Sequence, residues 1–358
     1  MMTPASAARA AISTMMRKFK PEDLPPLGRF HYHQGVFLSG VWENQLLDPS
    51  PELSGYVRAW CDSHILENGK ITGFDVTQLD DVQPGILLFP FYAQSGQEKY
   101  RRALDTLAQT VMDFPRNPEG GLWHKHRYPN QMWLDGLYMA GPLCAQYAAC
   151  FDKPEYLELT IDQALMMCDK TRDPKTGLLY HAYDQARVQP WADKVSGKSP
   201  EFWGRSMGWV GVAILNDLDF APANHPKRAL LEGEVKSLLN ALLPFQGADG
   251  RWYQVVDKPD HPDNWPENSC TCLYAAALCK AVRTGIMDTS KLDAARRAFE
   301  GVISSLRFEG DDLLLGDVCV GTGVGDYTHY INRPTSVNDL HGMGAFLIMC
   351  AEAQRAGL

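Results

Sequence analysis

The chain has 358 residues, 45% of them hydrophobic and 22% charged, enough apolar side chain to bury a sizeable core. Its formal net charge of −9 argues against nucleic acid or an anionic membrane as a partner, but allows a small anionic substrate where positive charge is concentrated locally. The nine cysteines form no C-x-x-C pair and lie mostly in apolar helical runs, which fits a reducing, cytoplasmic setting; no apolar run reaches membrane-spanning length.

Residues 1–20 are Ala-rich with helical character and lack the apolar core and cleavage site of a secretory leader. After them two kinds of segment alternate. Six are apolar, rich in Gly or Ala and nearly uncharged inside: 33–41, 84–92, 135–149, 207–218, 270–282 and 338–351. Helices apolar all round are buried ones, and small residues let their neighbours approach. Amphipathic segments run between them. In Gln97 to Phe114, Tyr100, Ala103, Leu104, Leu107, Val111 and Met112 share one face, with Lys99, Arg101, Arg102 and Asp105 outside it. Residues 51–65, 153–171, 225–245 and 289–306 behave the same way, and Ala5 to Phe19 supplies a sixth. Glycine turns recur at Gly69, Gly120, Gly177 and Gly250, each a helix stop before a short extended piece.

A repeat of this length signals stacked supersecondary units. Six buried and six amphipathic helices predict an all-α fold, an (α/α)6 barrel. It forms one domain over residues 1–358, with residues 1–20 closing the outer ring. An open solenoid is the alternative. The uncharged inner helices need cover on every side, which favours the closed ring.

In such a ring the turns leading into the inner helices gather at one mouth. They collect Asp80 and Asp81, the stretch Trp123–Asp135, His181, residues 200–209, Trp252, Trp265 and the Gly-rich 321–333. Trp123–Asp135 is the densest, with His124, Lys125, His126, Arg127, Trp133 and a single acid, Asp135. Two carboxylates among aromatic faces outline a carbohydrate site. Each residue also has a plain structural reading. Asp135 is a helix cap, Asp80 and Asp81 ahead of Pro84 mark a helix start, His181 is a satisfied buried histidine, and Trp203 and Trp209 are core. No H-E-x-x-H, no Cys/His set at metal spacing and no G-x-S-x-G occurs, and Gly321–Gly325 lacks the ending of a phosphate loop.

The runs N-P-E-G-G-L-W-H-K (117–125) and Y-P-N-Q-M-W-L-D-G-L-Y-M (128–139) resemble the unsaturated rhamnogalacturonyl hydrolases of glycoside hydrolase family 105. Leu79-Asp80 with Pro84-Gly85, Tyr180-His181, the run from Trp203 to Trp209 and the run from Gly321 to Tyr327 extend the likeness in order, from about His31 to the C-terminus. The unsaturated glucuronyl hydrolases of family 88 share the fold and the Asp pair, so the resemblance fixes chemistry better than substrate. It implies an (α/α)6 barrel that removes a 4,5-unsaturated uronic acid from the non-reducing end of a lyase product. The reaction is hydration of the C4=C5 enol ether, not attack at the anomeric carbon. By resemblance Asp135 is the general acid/base and Asp80 its companion, with the choice between Asp80 and its neighbour Asp81 left to the structure; His124, Lys125, Trp133, His181, Trp203, Arg205 and Trp209 match sugar-contacting positions. Arg205 is expected to hold the substrate carboxylate in a fork.

The implied partner is a small oligosaccharide ending in an unsaturated uronate, bound by a monomer or homodimer. No cofactor or metal is called for. Protonating carbon near neutral pH requires Asp135 to be raised about 2–3 units above the ordinary value of about 3.9, and burial beside Trp133 with Asp80 nearby is expected to raise it. Two readings from other classes remain: a sugar epimerase using His124 and His181, and a non-catalytic helical scaffold that binds saccharide without turnover.

Overall fold

Polar caps and prolines set where the helices begin. Thr3 accepts from Ser6 N while Ser6 bonds back to the Thr3 backbone, and Pro4 opens the first helix. Ser50 and Pro51 start the third in the same manner. The computed structural model describes residues 2–358. Its helices are α1 (Pro4–Lys18), α2 (Tyr32–Leu47), α3 (Pro51–His64), α4 (Leu88–Ser95), α5 (Glu98–Met112), α6 (Asp135–Phe151) and α7 (Pro154–Thr171). There follow α8 (Gly204–Phe220), α9 (Arg228–Leu242), α10 (Asn268–Arg283), α11 (Leu292–Ser305), the single short α12 (Tyr327–Ile331) and α13 (Leu340–Arg355).

The inner set is α2, α4, α6, α8, α10 and α13, and α4 is entered through 3-10 turns at Leu79–Asp81 and Gln83–Leu87. α6, α8, α10 and α13 pack in succession, α2 and α6 both pack on the Gln83–Leu87 turn that leads into α4, and α13 packs on α2 to close the ring. That closing seam is tight because it is built on glycine. A Cβ on Gly40 would come within 2.6 Å of Leu347, and one on Gly344 within 2.4 Å of the Val36 backbone. The outer set is α1, α3, α5, α7, α9 and α11, with α1 lying against α13 and α2. This is the closed (α/α)6 toroid predicted from the alternation of segments.

The four glycine turns share one conformation, with φ of +83° at Gly69, +93° at Gly120, +79° at Gly177 and +85° at Gly250. Left-handed backbone of this kind favours glycine. Backbone bridges Ile65–Ile71, Arg116–Leu122 and Arg172–Leu179 bracket the first three, so the repeat is visible in three dimensions. Strand is confined to three two-stranded antiparallel ribbons: β1 (Gln131–Trp133) with β2 (Ala182–Asp184), β3 (Arg307–Glu309) with β4 (Asp312–Leu314), and β5 (Val318–Cys319) with β6 (Thr335–Ser336). Among the described residues no helix is long and apolar enough to cross a membrane. All nine cysteines are free thiols, and only Cys150 is exposed.

Candidate active site

The β1–β2 ribbon sets the centre of the mouth. Trp133 pairs with Ala182, and Leu134 N donates to the His181 carbonyl at 3.0 Å. This puts Asp135, the first residue of α6, beside His181. Asp135 is not the helix cap: Leu134 occupies that position, and the Asp135 carboxylate turns to His181 instead. His181 Nε2 lies 3.0 Å from Asp135 Oδ2, and its Nδ1 lies 2.7 Å from the Tyr330 hydroxyl. That hydroxyl oxygen also accepts from Gly325 N at 3.3 Å, which ties the Gly-rich loop to the histidine. An ionised carboxylate only accepts, so Nε2 carries a proton and donates it to Asp135.

The 3-10 turn before α4 carries the second carboxylate. Asp80 lines the cavity, bonded to Lys125 Nζ at 2.5 Å with His124 Nε2 at 3.4 Å. Its neighbour Asp81 turns away, accepting from Asp75 N and pairing with Arg29 at 3.1 Å. Asp80, Asp135, His124, Lys125, Trp133, Trp203 and Arg205 all line one cavity of about 280 Å³, near the lower end for small-molecule sites. His181 stands behind Asp135, fully buried.

Burial alone would raise Asp80, but His124, Lys125 and His31 outweigh it and hold the carboxyl at about 2. Burial lowers His124 to about 4, so its ring is neutral near pH 7 and Lys125 is the counter-charge that remains. Asp135 departs from expectation. Burial pushes it up, yet the hydrogen bond and charge of His181, with His124 and Arg205, bring it below the ordinary carboxylate range. Asp80, paired with Lys125, is not among its dominant neighbours.

Arg205 is buried, and most of its fork is committed. Nη1 donates to the Cys319 carbonyl at 2.5 Å and to Ser269 Oγ, Nη2 donates to the Val320 carbonyl at 2.9 Å, and Glu267 lies 3.7 Å away. Nε makes no hydrogen bond among the described residues, which leaves that edge free. Trp133 has little open face, since His124 and Tyr128 both stack on it nearly parallel at 4.6 and 4.7 Å. Trp203 is covered by the Arg205 guanidinium and the His181 ring.

The family model of glycosyl hydrolase family 88 matches residues 7–356. A family 105 glycoside hydrolase from C. acetobutylicum superposes with a TM-score of 0.92 at 30% identity, covering 97% of this chain and 99% of that one. The chain belongs to the glycoside hydrolase family 88/105 group. The Bacillus subtilis unsaturated rhamnogalacturonyl hydrolase YesR is 27% identical over 250 residues, 68% of each chain. An unsaturated 3S-rhamnoglycuronyl hydrolase from Alteromonas is 26% identical over 226 residues, 62% of this chain and 50% of that one. This family 88/105 enzyme is thus a hydrolase of unsaturated uronides.

Two residues matched by resemblance stay outside the hydrolase's cavity: His181, which reaches it only through Asp135, and Trp209. Trp209 lies a turn into α8, 1% exposed, and stacks on Tyr138 of α6 at 4.6 Å. Trp252 is likewise buried, donating to the Leu242 carbonyl. The cavity also takes in His31, Tyr32 and His33, which sequence reasoning did not place at the mouth, and Arg127, Tyr128 and Thr322, which lie in mouth stretches but were given no role. The signal for the first three was available. His31-Tyr32-His33 heads an inner helix just as Asp80, Asp135 and Arg205 do. Tyr330 gave no such signal, because its role arises only from folding the Gly-rich loop over His181.

Proposed function

We propose that the enzyme removes unsaturated galacturonate from the non-reducing end of rhamnogalacturonan disaccharides made by a lyase. The observation that carries this reading is the pairing of Asp135 with Asp80 in one cavity, each with a different partner. Asp135 gives a proton to C4 of the enol ether, leaving a cation at C5 shared with the ring oxygen. Water adds at C5 and returns its proton to Asp135. The C5 hemiketal opens to a ketone, and the hemiacetal left at C1 releases the second sugar as an alcohol. Asp80, an anion paired with Lys125, stabilises the cation and orients the water. Arg205 meets the uronate carboxylate with its free Nε edge, His124, Trp133 and Trp203 shape the walls, and His181 positions Asp135 from behind.

Asp135 is ionised in the free protein, which at first opposes an acid role. A bound uronate adds a like charge and excludes water, and both raise the carboxyl. The substrate thus completes the acid that acts on it.

A second reading concerns the aglycone. Among the described residues Arg127 is the one Arg or Lys lining the cavity that has no acidic partner. An unpaired guanidinium at the rim suits an aglycone that carries an anionic group such as a sulfate ester. Incubation with a panel of lyase-generated disaccharides, neutral and sulfated, tests both readings through loss of the ultraviolet absorbance of the conjugated double bond. Preference for the rhamnogalacturonan product supports the first, preference for the sulfated one supports the second, and no loss with any member refutes both.

A further inference from the structure

His33, Asp339 and His341 come from opposite ends of the sequence and meet where α13 closes the ring onto α2. His33 lies in the first turn of α2 and lines the cavity, Asp339 caps α13, and His341 lies in the first turn of α13. One donor atom from each lies within 4.8 Å of the others. His33 Nε2 is 3.9 Å and His341 Nδ1 is 2.7 Å from Asp339 Oδ1.

The remaining nitrogens are already engaged. His341 Nε2 lies 3.1 Å from the Cys319 carbonyl, and His33 Nδ1 lies 3.0 Å from His31 Nδ1. A carbonyl only accepts, so His341 carries a proton on Nε2 and presents a lone pair at Nδ1. That Nδ1 is fully buried and has no hydrogen-bond partner. Its nearest side-chain oxygen is Asp339 Oδ1, 2.7 Å away. Two histidine nitrogens and a carboxylate oxygen drawn together at a cavity wall stand as ligands stand around a cation. Anchoring the outer nitrogen on a carbonyl or a second polar group is also how metal-binding histidines are oriented.

We propose that His33, Asp339 and His341 form a binding site for a divalent transition metal ion of the zinc type in the cavity wall. Two imidazoles and one carboxylate suit such an ion, whereas Ca²⁺ and Mg²⁺ want oxygen shells. Ligands about 2.0–2.1 Å from a tetrahedral zinc stand about 3.3 Å apart. The two spacings to Asp339 straddle that value and the third lies within 4.8 Å, so modest side-chain shifts assemble the site. His33 is half-buried and faces the cavity, which provides the entry path, and the fourth position is open to water or a substrate oxygen. The site is separate from the proton chemistry of Asp135 and does not depend on which sugar is cleaved.

The test uses the full chain, stripped with a chelator and dialysed against Zn²⁺, with bound metal counted by mass spectrometry and affinity read by chelator competition. Wild type should hold one equivalent that His33→Ala and His341→Ala lose. His31→Ala leaves all three ligands and should weaken binding about 10- to 100-fold. Asp339→Asn keeps the helix cap and should weaken binding through the lost charge. Zn²⁺ should raise the thermal midpoint of wild type and not of His33→Ala, a cavity-facing change that tests the site even if His341→Ala fails to fold. Wild type that binds no stoichiometric Zn²⁺, or binding that survives in both His33→Ala and His341→Ala, would overturn the proposal. In the first case a proton, not a metal, fills the gap at Nδ1.

Discussion

Replacing Asp135 by Asn removes one proton site and little else. The amide oxygen can still accept from His181 Nε2, and the start of α6 does not rest on this side chain, because Leu134 holds the cap position. Three effects set the stability change. A hydrogen bond to a charged acceptor, about 1.5–3 kcal/mol, becomes a neutral one of about 0.5–1.5 kcal/mol. The helix N-terminus loses an anion, about 0.3–1 kcal/mol. Against these, a buried charge disappears, and burial is the largest single influence on this carboxyl. The opposing effects leave a net change expected within about 1 kcal/mol, or about 1–2 °C in the thermal midpoint of a chain this long. Turnover should fall far more. Loss of general acid/base catalysis is typically about 10²–10⁴-fold, and because the same group also starts the reaction the upper end is expected. Initial rates of absorbance loss on the rhamnogalacturonan disaccharide, run beside thermal unfolding, separate the two effects. In deuterated water the wild-type product should carry deuterium at C4. In oxygen-18 water the label should enter at C5 and leave the aglycone hydroxyl unlabelled. Near-normal turnover by the variant, or new oxygen at C1, would refute the mechanism.

The state of Asp135 also sets the pH profile. The protonated form is the reactive one, so rate falls as pH rises through its pKa; the bound uronate raises that pKa, so the falling limb of kcat should lie at higher pH than that of kcat/KM, and coincident limbs would count against substrate-raised acidity. Arg205→Lys should lower kcat/KM and also destabilise the fold by about 1–3 kcal/mol, because Lys cannot hold both the Cys319 and Val320 carbonyls; kinetic loss with an unchanged thermal midpoint would contradict the second role. Trp209→Phe should cost about 1–3 kcal/mol of stability through its stack on Tyr138 and leave KM unchanged, whereas a raised KM would restore Trp209 to the sugar site. Asp217 is buried with one oxygen on Thr160 and the other unpartnered, and burial pushes it up to about 8. The folded chain keeps a proton there that the unfolded chain releases above about pH 4, so stability falls as pH rises from about 4 to 8, by up to about 1.4 kcal/mol per unit. Asp217→Asn should therefore gain on wild type between about pH 5 and pH 8 in thermal unfolding, and a difference independent of pH would refute the buried protonated acid.

The ring was legible because its signals are local and repeated. Inner segments free of charge, outer segments with one apolar face, and a glycine at each left-handed turn are properties of short windows of sequence. Once the ring is granted, topology gathers Asp80, Trp133, Asp135 and Trp203 at one end. What residue type cannot give is the direction in which a side chain points. Trp203 and Trp209 flank one helix start, yet one lines the cavity and the other turns into the α6–α8 interface. Arg205 reads as a free fork because the backbone carbonyls that occupy it come from Cys319 and Val320, far along the chain. The His33–Asp339–His341 cluster is hidden for the same reason, as no metal spacing exists within any one segment.

Asp135 shows where reading by composition meets its limit. Burial and a nearby second carboxylate both argue for a raised pKa, and burial does act in that direction. The outcome is decided by partners that the sequence does not pair. Lys125 pairs with Asp80 and offsets its charge, and Tyr330, from the Gly-rich loop, holds the His181 ring that donates to Asp135. Both contacts cross the barrel mouth between distant segments. A site built this way keeps its acid ionised until a substrate carboxylate arrives, so unsaturated uronides are selected by charge as well as by shape. A neutral analogue of the same ring should therefore bind without becoming protonated, because it brings no charge to lift Asp135.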